Sequence, residues 1–318
     1  MDFFLPFAVP KSQSMLSYHQ KVIAIGSCFA QEIGGLLEKH KFNVMVNPHG
    51  ILFNSKSIIR ALNDYMNTTE YHSNDLLQEN NLWHSLHHHG RFSKASKQLG
   101  IEGINKEISE AHRFLKNADW LLVTLGTSWA FRHIHTNEII ANCHKIPQLQ
   151  FEKEILNSTK QTIDWQEVIE KLRIFNPKIK LLFTVSPVRY IRDGLVENNL
   201  SKSHLLTTVH SIVANNESCF YFPAYELVVD VLRDYRFFKE DLVHPNEQAV
   251  NFVWEHFINA YLNPKEFPIF KEIDAFLKFD YHKPLNEADA NFHREKREMM
   301  HSKILALLKA HHSSSTKE

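Results

Sequence analysis

The sequence predicts an α/β fold in which helices cover both faces of a mostly parallel sheet. Four short apolar runs show no regular alternation with polar residues, as expected for strands that are buried on both faces. Helical patterns lie between these runs, and such alternation is typical of parallel sheets with helical crossovers. The length of 318 residues, with 43% apolar and 23% charged residues, fits a globular protein of one large domain or two small ones.

Each predicted strand is rich in Ile, Val, Leu or Phe. The strands fall at residues 22–25, 120–125, 179–185 and 219–222, with a weaker candidate at 42–46. Each predicted helix places its apolar residues three or four positions apart, on one face. The helices fall at residues 31–40, 165–175, 224–235 and 247–262.

Two regions depart from this alternation. Residues 55–118 carry helical patterns with only a weak strand, and residues 263–318 end in a further helical pattern. We therefore predict one domain over residues 1–262, with a helical insertion around 55–118. Residues 263–318 are predicted to form a C-terminal helical extension, with a frayed polar tail over 313–318.

The composition excludes several classes of protein. Lys and Arg together number 36, as do Asp and Glu, so there is no global basic footprint for nucleic acid or an anionic membrane. No apolar run approaches the ~18 residues of a membrane-spanning helix, and the start lacks the basic head of a secretory signal. Three widely spaced cysteines favour a reducing compartment. We therefore expect a cytoplasmic protein without nucleic-acid or membrane partners, of open oligomeric state.

The first predicted strand runs into Gly26-Ser27-Cys28-Phe29-Ala30, where a helix begins. A serine at such a tight turn exposes its hydroxyl beside the free N–H groups of the helix start, which are donors for a developing oxyanion. Ser27 is therefore a candidate nucleophile. The alternative is structural, because serine is a favoured N-cap residue. Cys28 is either a rival nucleophile, since a helix N-terminus lowers the pKa of a thiol, or a buried packing residue.

Asp241 and His244 lie three residues apart, just before a helix that starts near Asn246. Pro245 disfavours a helix through His244, so this segment is a predicted loop. A carboxylate beside one imidazole nitrogen fixes the tautomer and leaves the other nitrogen free to accept a proton from a hydroxyl. The alternative is a cap in which Asp241 or Asn246 serves the helix. Together with Ser27, the pair supplies a nucleophile, a base and an orienting partner.

Small or polar residues follow three of the four strong strands. They are Gly26-Ser27, Gly126-Thr127-Ser128 and Ser186-Pro187. The strand-to-helix loops of an open parallel sheet meet at its carboxyl edge. We therefore expect residues that are distant in sequence to share one cleft at this edge.

The motif from Gly26 to Ala30 resembles the name-giving motif of the GSCFA-domain proteins, which look like members of the SGNH/GDSL hydrolase superfamily. Further segments over about residues 20–260 resemble the same family. They are Asn47-Pro48-His49-Gly50, Thr124-Leu125-Gly126-Thr127-Ser128-Trp129, Asn142-Cys143-His144-Lys145, Ser186-Pro187-Val188-Arg189, Asp234-Tyr235-Arg236-Phe237 and residues 241–245. By this resemblance the chain is identified as a member of the family.

The resemblance implies a flavodoxin-like three-layer α/β/α fold of the SGNH hydrolase type, with helical additions. It also implies ester hydrolysis or acyl transfer without a metal or other cofactor. Ser27 is then the nucleophile, His244 the base and Asp241 the partner of the base.

One departure from the superfamily concerns the oxyanion hole. The superfamily commonly has an Asn two residues after a glycine that follows the third strand, whereas Gly126 is followed here by Thr127 and Ser128. Loss of one such donor typically costs about 2.7–4 kcal/mol of transition-state stabilisation. The oxyanion hole is therefore expected to use backbone N–H groups and another side chain. The candidate donors are Ser27, Gly50, Ser128, Asn54 and Asn142.

Basic and aromatic residues in the loops are candidate substrate-binding groups. Arg189, Lys145 and the neighbouring His144 are suited to a carboxylate, sulfate or phosphate on a substrate, with a surface ion pair as the alternative for the two basic residues. Trp129 is suited to stacking on a sugar, with ordinary packing as its alternative.

Histidines are concentrated at His84, His87, His88 and His89. On a helix, three of these imidazoles would share a face, which makes a metal site conceivable. No carboxylate or cysteine stands at a familiar ligand spacing, so a wet polar loop or a lid over the active-site edge is the favoured interpretation.

The sequence thus predicts a serine esterase or acyltransferase of the SGNH type. Its expected substrate is a small-molecule or carbohydrate ester with a small acyl group, such as O-acetyl. The alternatives are a non-catalytic carbohydrate-binding module, favoured by the missing oxyanion Asn, and a histidine-based metalloenzyme.

Overall fold

A five-stranded parallel sheet forms the centre of the computed structural model, which describes residues 6–281 and 287–315. The strands are β1 (Lys21–Gly26), β2 (Asn43–Val46), β3 (Leu77–Glu79), β4 (Leu82–His84), β5 (Trp120–Leu125), β6 (Trp129–His133), β7 (Glu138–Ile140), β8 (Phe151–Ile155), β9 (Lys180–Val185) and β10 (Cys219–Tyr221). The α-helices are α1 (Cys28–Lys39), α2 (Ser55–Asn67), α3 (Lys97–Lys116), α4 (Ser158–Phe175), α5 (Leu195–Ala214), α6 (Ala224–Glu226), α7 (Glu247–Tyr261), α8 (Phe267–Tyr281) and α9 (Glu287–Ser315).

The central sheet has the strand order β2-β1-β5-β9-β10, and every neighbouring pair is parallel. Counted along these five strands alone, this is the 2-1-3-4-5 order of flavodoxin-like folds. The predicted α/β fold is therefore confirmed. All five predicted strands coincide with strands of this sheet to within one residue at each end.

Alternate residues of β1 face opposite helical layers. Val22 and Ala24 pack in one core with residues of α1 and α7, whereas Ile23 and Ile25 pack in a second core with residues of α2, α3, α4 and α5. Burial of both faces explains why the strands read as continuous apolar runs. The layering leaves the carboxyl edge of the sheet as the place where the strand-to-helix loops gather.

Helix α5 is absent from the sequence predictions because its buried face is partly polar. Asn198, Ser201, Lys202 and Thr208 are buried in this helix together with Leu205. Polar residues at core positions weaken the apolar periodicity by which an amphipathic helix is detected.

Other segments also differ from the sequence predictions. A three-stranded antiparallel sheet, of order β7-β6-β8, and the β3–β4 hairpin are both built from strands of three to five residues that are too short for a clear pattern. The helix predicted over 224–235 is interrupted, because α6 continues into a π-helical turn at Leu227–Leu232 and Arg233 adopts a φ of 55°.

The helices of the region around 55–118 belong to the covering layer of the sheet. Leu62 of α2 and Leu115 of α3 are fully buried in the core on that face, so only the stretch between the helices, with its hairpin, stands apart. Helices α8 and α9 contribute Ile273 and Ile304 to the core on the other face.

Helix α9 extends to Ser315, and residues 316–318 of the predicted frayed tail lie outside the described residues. None of the described helices combines the length and the apolar character needed to cross a membrane. All three cysteines are free thiols.

Candidate active site

A cleft of about 280 Å³ opens at the carboxyl edge of the central sheet. Residues that follow β1, β5 and β9 meet in this cleft, as small residues after those strands lead us to expect. The lining residues are Ser27, Cys28, Phe53, Gly126, Thr127, Ser186, Val188, Arg189, Tyr190 and His244. The structure thus brings the predicted nucleophile and the predicted base into one cavity.

The turn that precedes Ser27 requires glycine. Gly26 has a φ of 135°, and a Cβ at this position would lie 2.1 Å from the backbone oxygen of Thr124. The Gly26 N–H donates to Asn47 Oδ1 at 2.9 Å, and the Gly26 carbonyl accepts from the Leu52 N–H at 2.9 Å. These bonds fix the end of β1 and therefore the start of α1.

Ser27 has the structural role considered for it and also lines the cleft. It is the N-cap of α1, and its Oγ accepts a hydrogen bond of 3.3 Å from the Phe29 N–H. The residue is 1% exposed, yet it lines the cleft. Its hydroxyl proton has no acceptor among the described residues. The hydroxyl can therefore cap the helix as an acceptor and still give its proton to a base.

Cys28 stands at the first position of α1, in the same cleft. Burial raises the pKa of its thiol, and this effect outweighs the lowering by nearby backbone N–H groups and by Lys202. A thiol that stays protonated is a weak nucleophile. The Cys28 backbone N–H makes no hydrogen bond to another described residue, although it does interact with the thiol of the same residue.

Asp241 and His244 form a short hydrogen-bonded pair at the rim of the cleft. His244 Nδ1 lies 2.7 Å from Asp241 Oδ2, and Asp241 Oδ1 accepts from the N–H groups of Val243 at 2.9 Å and His244 at 3.0 Å. The backbone N–H groups of His244 and Val243, followed by the imidazole, lower the pKa of Asp241 to about 2.

The carboxylate holds the proton on Nδ1, so Nε2, which has no partner among the described residues, is the basic nitrogen. The alternative considered for this segment was a helix cap by Asp241 or Asn246. Asn246 is the N-cap of α7, and its Oδ1 accepts a hydrogen bond of 3.1 Å from the Ala249 N–H.

Arg189 joins the loop after β9 to the loop that carries His244. Its N–H donates to Val243 O at 3.3 Å, and its guanidinium donates to Leu242 O at 3.0 Å. The guanidinium also lies 4.1 Å from the ring centre of Phe238, a cation–π distance. Arg189 lines the cleft. Within the described chain it makes these contacts to the loop of His244, and it does not form the surface ion pair that we considered for it.

A buried lysine that the sequence analysis did not single out lies beneath the cleft. Lys202 is 2% exposed and donates to Gly126 O and Ser186 O, each at 2.7 Å. It ties together the turns that follow β5 and β9. Burial lowers the pKa of Lys202 to about 7, and the interaction with Cys28 partly offsets this lowering. No carboxylate of the described residues forms an ion pair with Lys202. The one sequence signal for this buried lysine is its place at a core position of α5, where an apolar residue is usual.

Three of the five predicted oxyanion donors are engaged elsewhere. The Ser27 N–H donates to the β5 backbone at 3.1 Å, and the Gly50 N–H donates to Asn47 O at 2.7 Å. Ser128 is fully buried, and its N–H and Oγ donate to Ser201 at 2.7 and 3.0 Å. These groups have no donor to spare for the cleft.

The remaining two candidates, Asn54 and Asn142, have side-chain NH₂ groups without a hydrogen bond to any described residue. Asn54 Oδ1 caps α2 through the Ser57 N–H at 2.9 Å, and Asn54 adjoins Phe53, which lines the cleft. Asn142 Oδ1 accepts from the His144 N–H at 2.9 Å, and Asn142 does not line the cleft.

Of the four predicted substrate-binding residues, Arg189 lines the cleft and the other three do not. Trp129 donates its indole N–H to a carbonyl of α5 at 3.1 Å. His144 Nε2 donates to Ser85 O at 2.7 Å, and burial lowers the pKa of His144 to about 4. Lys145 is exposed.

The histidines at 84–89 enter separate networks. Nδ1 of His84 and Nδ1 of His88 each bond a serine hydroxyl, at 2.7 and 2.9 Å, and His87 Nε2 lies 3.3 Å from a Glu138 oxygen. Burial lowers the pKa of His87 to about 4. In the described part of the chain, these imidazoles belong to no group of three side chains with metal-ligand spacing.

Solved structures that are similar to this chain include the following three, each at 10% sequence identity. One is a carbohydrate esterase family 3 from Talaromyces cellulolyticus, with a TM-score of 0.39 over 80% of this chain and 99% of that one. An acetyl esterase mutant with an acetate ion has a TM-score of 0.37 over the same shares. An acetyl xylan esterase from the rumen bacterium Butyrivibrio proteoclasticus has a TM-score of 0.39 over 78% of this chain and 64% of that one.

No curated protein matches the chain. The GSCFA family matches residues 21–257, which is most of the sequence and includes every residue that lines the cleft, and the chain belongs to this family.

Proposed function

We propose that the chain is a serine hydrolase or acyltransferase that cleaves esters of small acyl groups. The proposal is carried by one observation: Ser27 shares a cleft with His244, whose ring is already held by Asp241. The two side chains share the cleft without a direct hydrogen bond in the described structure. A hydroxyl with an uncommitted proton, in one cleft with an imidazole whose outer nitrogen is free, is what nucleophilic catalysis by serine needs.

In the proposed reaction, Ser27 Oγ bonds to the acyl carbon while its proton passes to His244 Nε2. Collapse of the tetrahedral intermediate breaks the ester C–O bond, and His244 returns the proton to the leaving alcohol oxygen. Water or a second alcohol then attacks the acyl-serine by the same route, which releases the acid or a new ester. Asp241, whose pKa is about 2, stays ionised throughout and stabilises the imidazolium.

The negative charge on the acyl oxygen needs hydrogen-bond donors. We propose the Cys28 N–H at the start of α1, which bonds no other described residue, and the side-chain NH₂ of Asn54, whose sequence neighbour Phe53 lines the cleft. The positive end of the α1 dipole favours an anion at the same point.

The size of the cleft supports a small acyl group. At about 280 Å³ it lies near the lower end of ligand pockets, and Phe53 and Val188 form apolar parts of its wall. The Tyr190 ring and the Arg189 guanidinium are suited to a polyhydroxylated alcohol portion. We therefore propose O-acetylated carbohydrates as the substrate class. Free thiols at all three cysteines support a reducing compartment such as the cytoplasm.

The test is turnover of p-nitrophenyl acetate and of an O-acetylated oligosaccharide. We expect Ser27→Ala and His244→Ala each to lower kcat by at least about 10³-fold, because neither half of the proton-transfer pair works alone. Mass spectrometry of the quenched wild type should find the acyl group on the peptide that contains Ser27.

Matched controls separate chemistry from folding. Ser203→Ala and His135→Ala replace exposed residues outside the cleft, so their activity should equal that of the wild type. Undiminished turnover by Ser27→Ala would end the serine mechanism. Loss of the acyl label in Cys28→Ala, with the label kept in Ser27→Ala, would assign the nucleophile to the thiol instead.

A non-catalytic carbohydrate-binding module remains the second candidate. The observation in its favour is the set of engaged donors at Ser27, Gly50 and Ser128, which leaves the oxyanion hole short of backbone N–H groups. It predicts saturable carbohydrate binding in calorimetry without release of acetate. Measurable acetate release that depends on Ser27 would exclude it.

A further inference from the structure

We propose that His19, Glu266 and His311 form a binding site for one divalent metal ion, with zinc as the best match. The site lies outside the cleft described above and takes no part in the proposed reaction. It would join three segments that are far apart in sequence: the stretch before β1, the turn before α8 and the last turns of α9.

The fold itself brings these segments together. Leu16 pairs with the end of α7: its N–H donates to Tyr261 O at 2.6 Å, and its carbonyl accepts from the Asn263 N–H at 2.9 Å. The 3₁₀ turn Pro264–Glu266 follows at once. Helix α9 then returns along α8, held by the ion pair between Lys303 and Glu272 at 2.7 Å, so that its end reaches the same place.

The three side chains have the donor types and spacing of a zinc site. Each offers one ligand atom, and these atoms lie within 4.8 Å of one another. Glu266 Oε2 and His311 Nε2 are 2.9 Å apart, and the rings of His19 and His311 stack with centroids 6.2 Å apart. Two ligand atoms on a tetrahedral zinc are separated by about 3.3 Å. A rotation of the exposed His19 ring, moving its nitrogen by no more than about 1.5 Å, therefore completes the ligand set.

Burial of the carboxylate is the physical reason to expect a cation. Glu266 is 2% exposed, and its Oε2 accepts no hydrogen bond of ordinary geometry from the described residues despite its short distance to His311. A buried carboxylate requires a compensating charge. A neutral imidazole offers a ligand nitrogen but no charge, whereas a bound divalent cation supplies the compensating charge.

A second unsatisfied group points to the same place. The Tyr18 hydroxyl belongs to a residue that is 2% exposed, and it has no hydrogen-bond partner among the described residues. Tyr18 precedes His19 in the sequence, and its ring lies 6.5 Å from the ring of His311, centroid to centroid. A water molecule in the fourth coordination position of the metal would be a natural partner for this hydroxyl.

The test uses the full-length protein without a polyhistidine tag, freed of metal by a chelator and then titrated with zinc chloride. We expect one zinc per chain in calorimetry and in elemental analysis after dialysis. We also expect zinc to raise the thermal unfolding midpoint by on the order of 5 °C at a hundredfold excess over Kd. Magnesium, which prefers oxygen ligands, should give no such rise.

His19→Ala decides the result, because His19 is exposed and its loss should not disturb folding. The variant should bind zinc at least about tenfold more weakly and lose the thermal shift. His135→Ala, which removes another exposed histidine, should behave like the wild type and so corrects for weak surface binding. Equal zinc affinity in His19→Ala and His135→Ala would overturn the proposal and leave Glu266 and His311 as an ion pair only. Glu266→Gln, if it folds, should also lose zinc binding.

Discussion

Replacement of Lys202 by methionine should remove a defined pH dependence from the stability of the protein. The lysine is buried without a carboxylate partner, and its Nζ donates to the carbonyls of Gly126 and Ser186. Methionine has a similar length and can occupy the same channel without a charge. The substitution therefore isolates the proton that Lys202 binds or releases on unfolding.

The magnitude follows from the pKa of Lys202, which burial lowers from 10.5 to about 7. Between these two values the unfolded chain holds a proton that the folded chain has released. Because the unfolded state binds more protons, the free energy of unfolding rises with pH by about 1.4 kcal/mol per pH unit in this window. From pH 7.5 to 9.5 the wild type should gain about 2.5 kcal/mol relative to Lys202→Met.

The assay is urea unfolding of both proteins at pH 7.5, 8.5 and 9.5, followed by fluorescence. Groups common to both proteins cancel in the difference between the two curves. The exposed Lys171→Met is the matched control and should run parallel to the wild type. If the free energy of unfolding of Lys202→Met changed with pH as that of the wild type does, Lys202 would be equally protonated in the folded and unfolded states. That result would refute the argument from burial.

Three further predictions concern the site. Gly26→Ala should lower the free energy of unfolding in a urea titration by at least about 2 kcal/mol, because the new Cβ would lie 2.1 Å from the β5 backbone. Gly35→Ala is the control and should be tolerated, because a Cβ there has no atom within 4 Å. Asn54→Ser keeps a helix cap but removes the NH₂ group. The kcat for p-nitrophenyl acetate should therefore fall by about 10²-fold or more, while the free energy of unfolding changes by less than about 1 kcal/mol. An unchanged kcat would show that this side chain is not part of the oxyanion hole. Asp241→Asn should lower kcat at neutral pH by on the order of 10³-fold, and a rate equal to the wild type would contradict its orienting role towards His244.

The core of the fold could be predicted from the sequence because the central strands are buried on both faces. Their apolar runs end in small residues such as Gly26 and Gly126, and both glycines lie where backbone segments approach closely. The same logic anticipated that the loops after three strands share a cleft. The local pair of Asp241 and His244 was also accessible to sequence reasoning, because a turn of four residues fixes its geometry.

Other parts of the site depend on contacts that no local pattern records. Lys202 lies on a helix whose polar residues point inward, so its burial follows from the packing of α5 against two strand ends. The engagement of Ser128 by Ser201 depends on a contact across 73 residues. The short strands of the small antiparallel sheet likewise acquire their structure from pairing rather than from their own composition.

The hydrogen bonds between Arg189 and the loop of His244 bear on how the proposed hydrolase would discriminate among substrates. Its backbone and guanidinium bonds to Val243 and Leu242 link the wall beside Tyr190 to the loop that carries His244, so we expect a displacement of one to displace the other. In the proposed reaction, a bulky acyl chain that pushes this wall outward would also carry the His244 imidazole away from Ser27 Oγ. Oversized esters should then be penalised in turnover more than in occupancy, so selectivity would be enforced by misalignment rather than by exclusion.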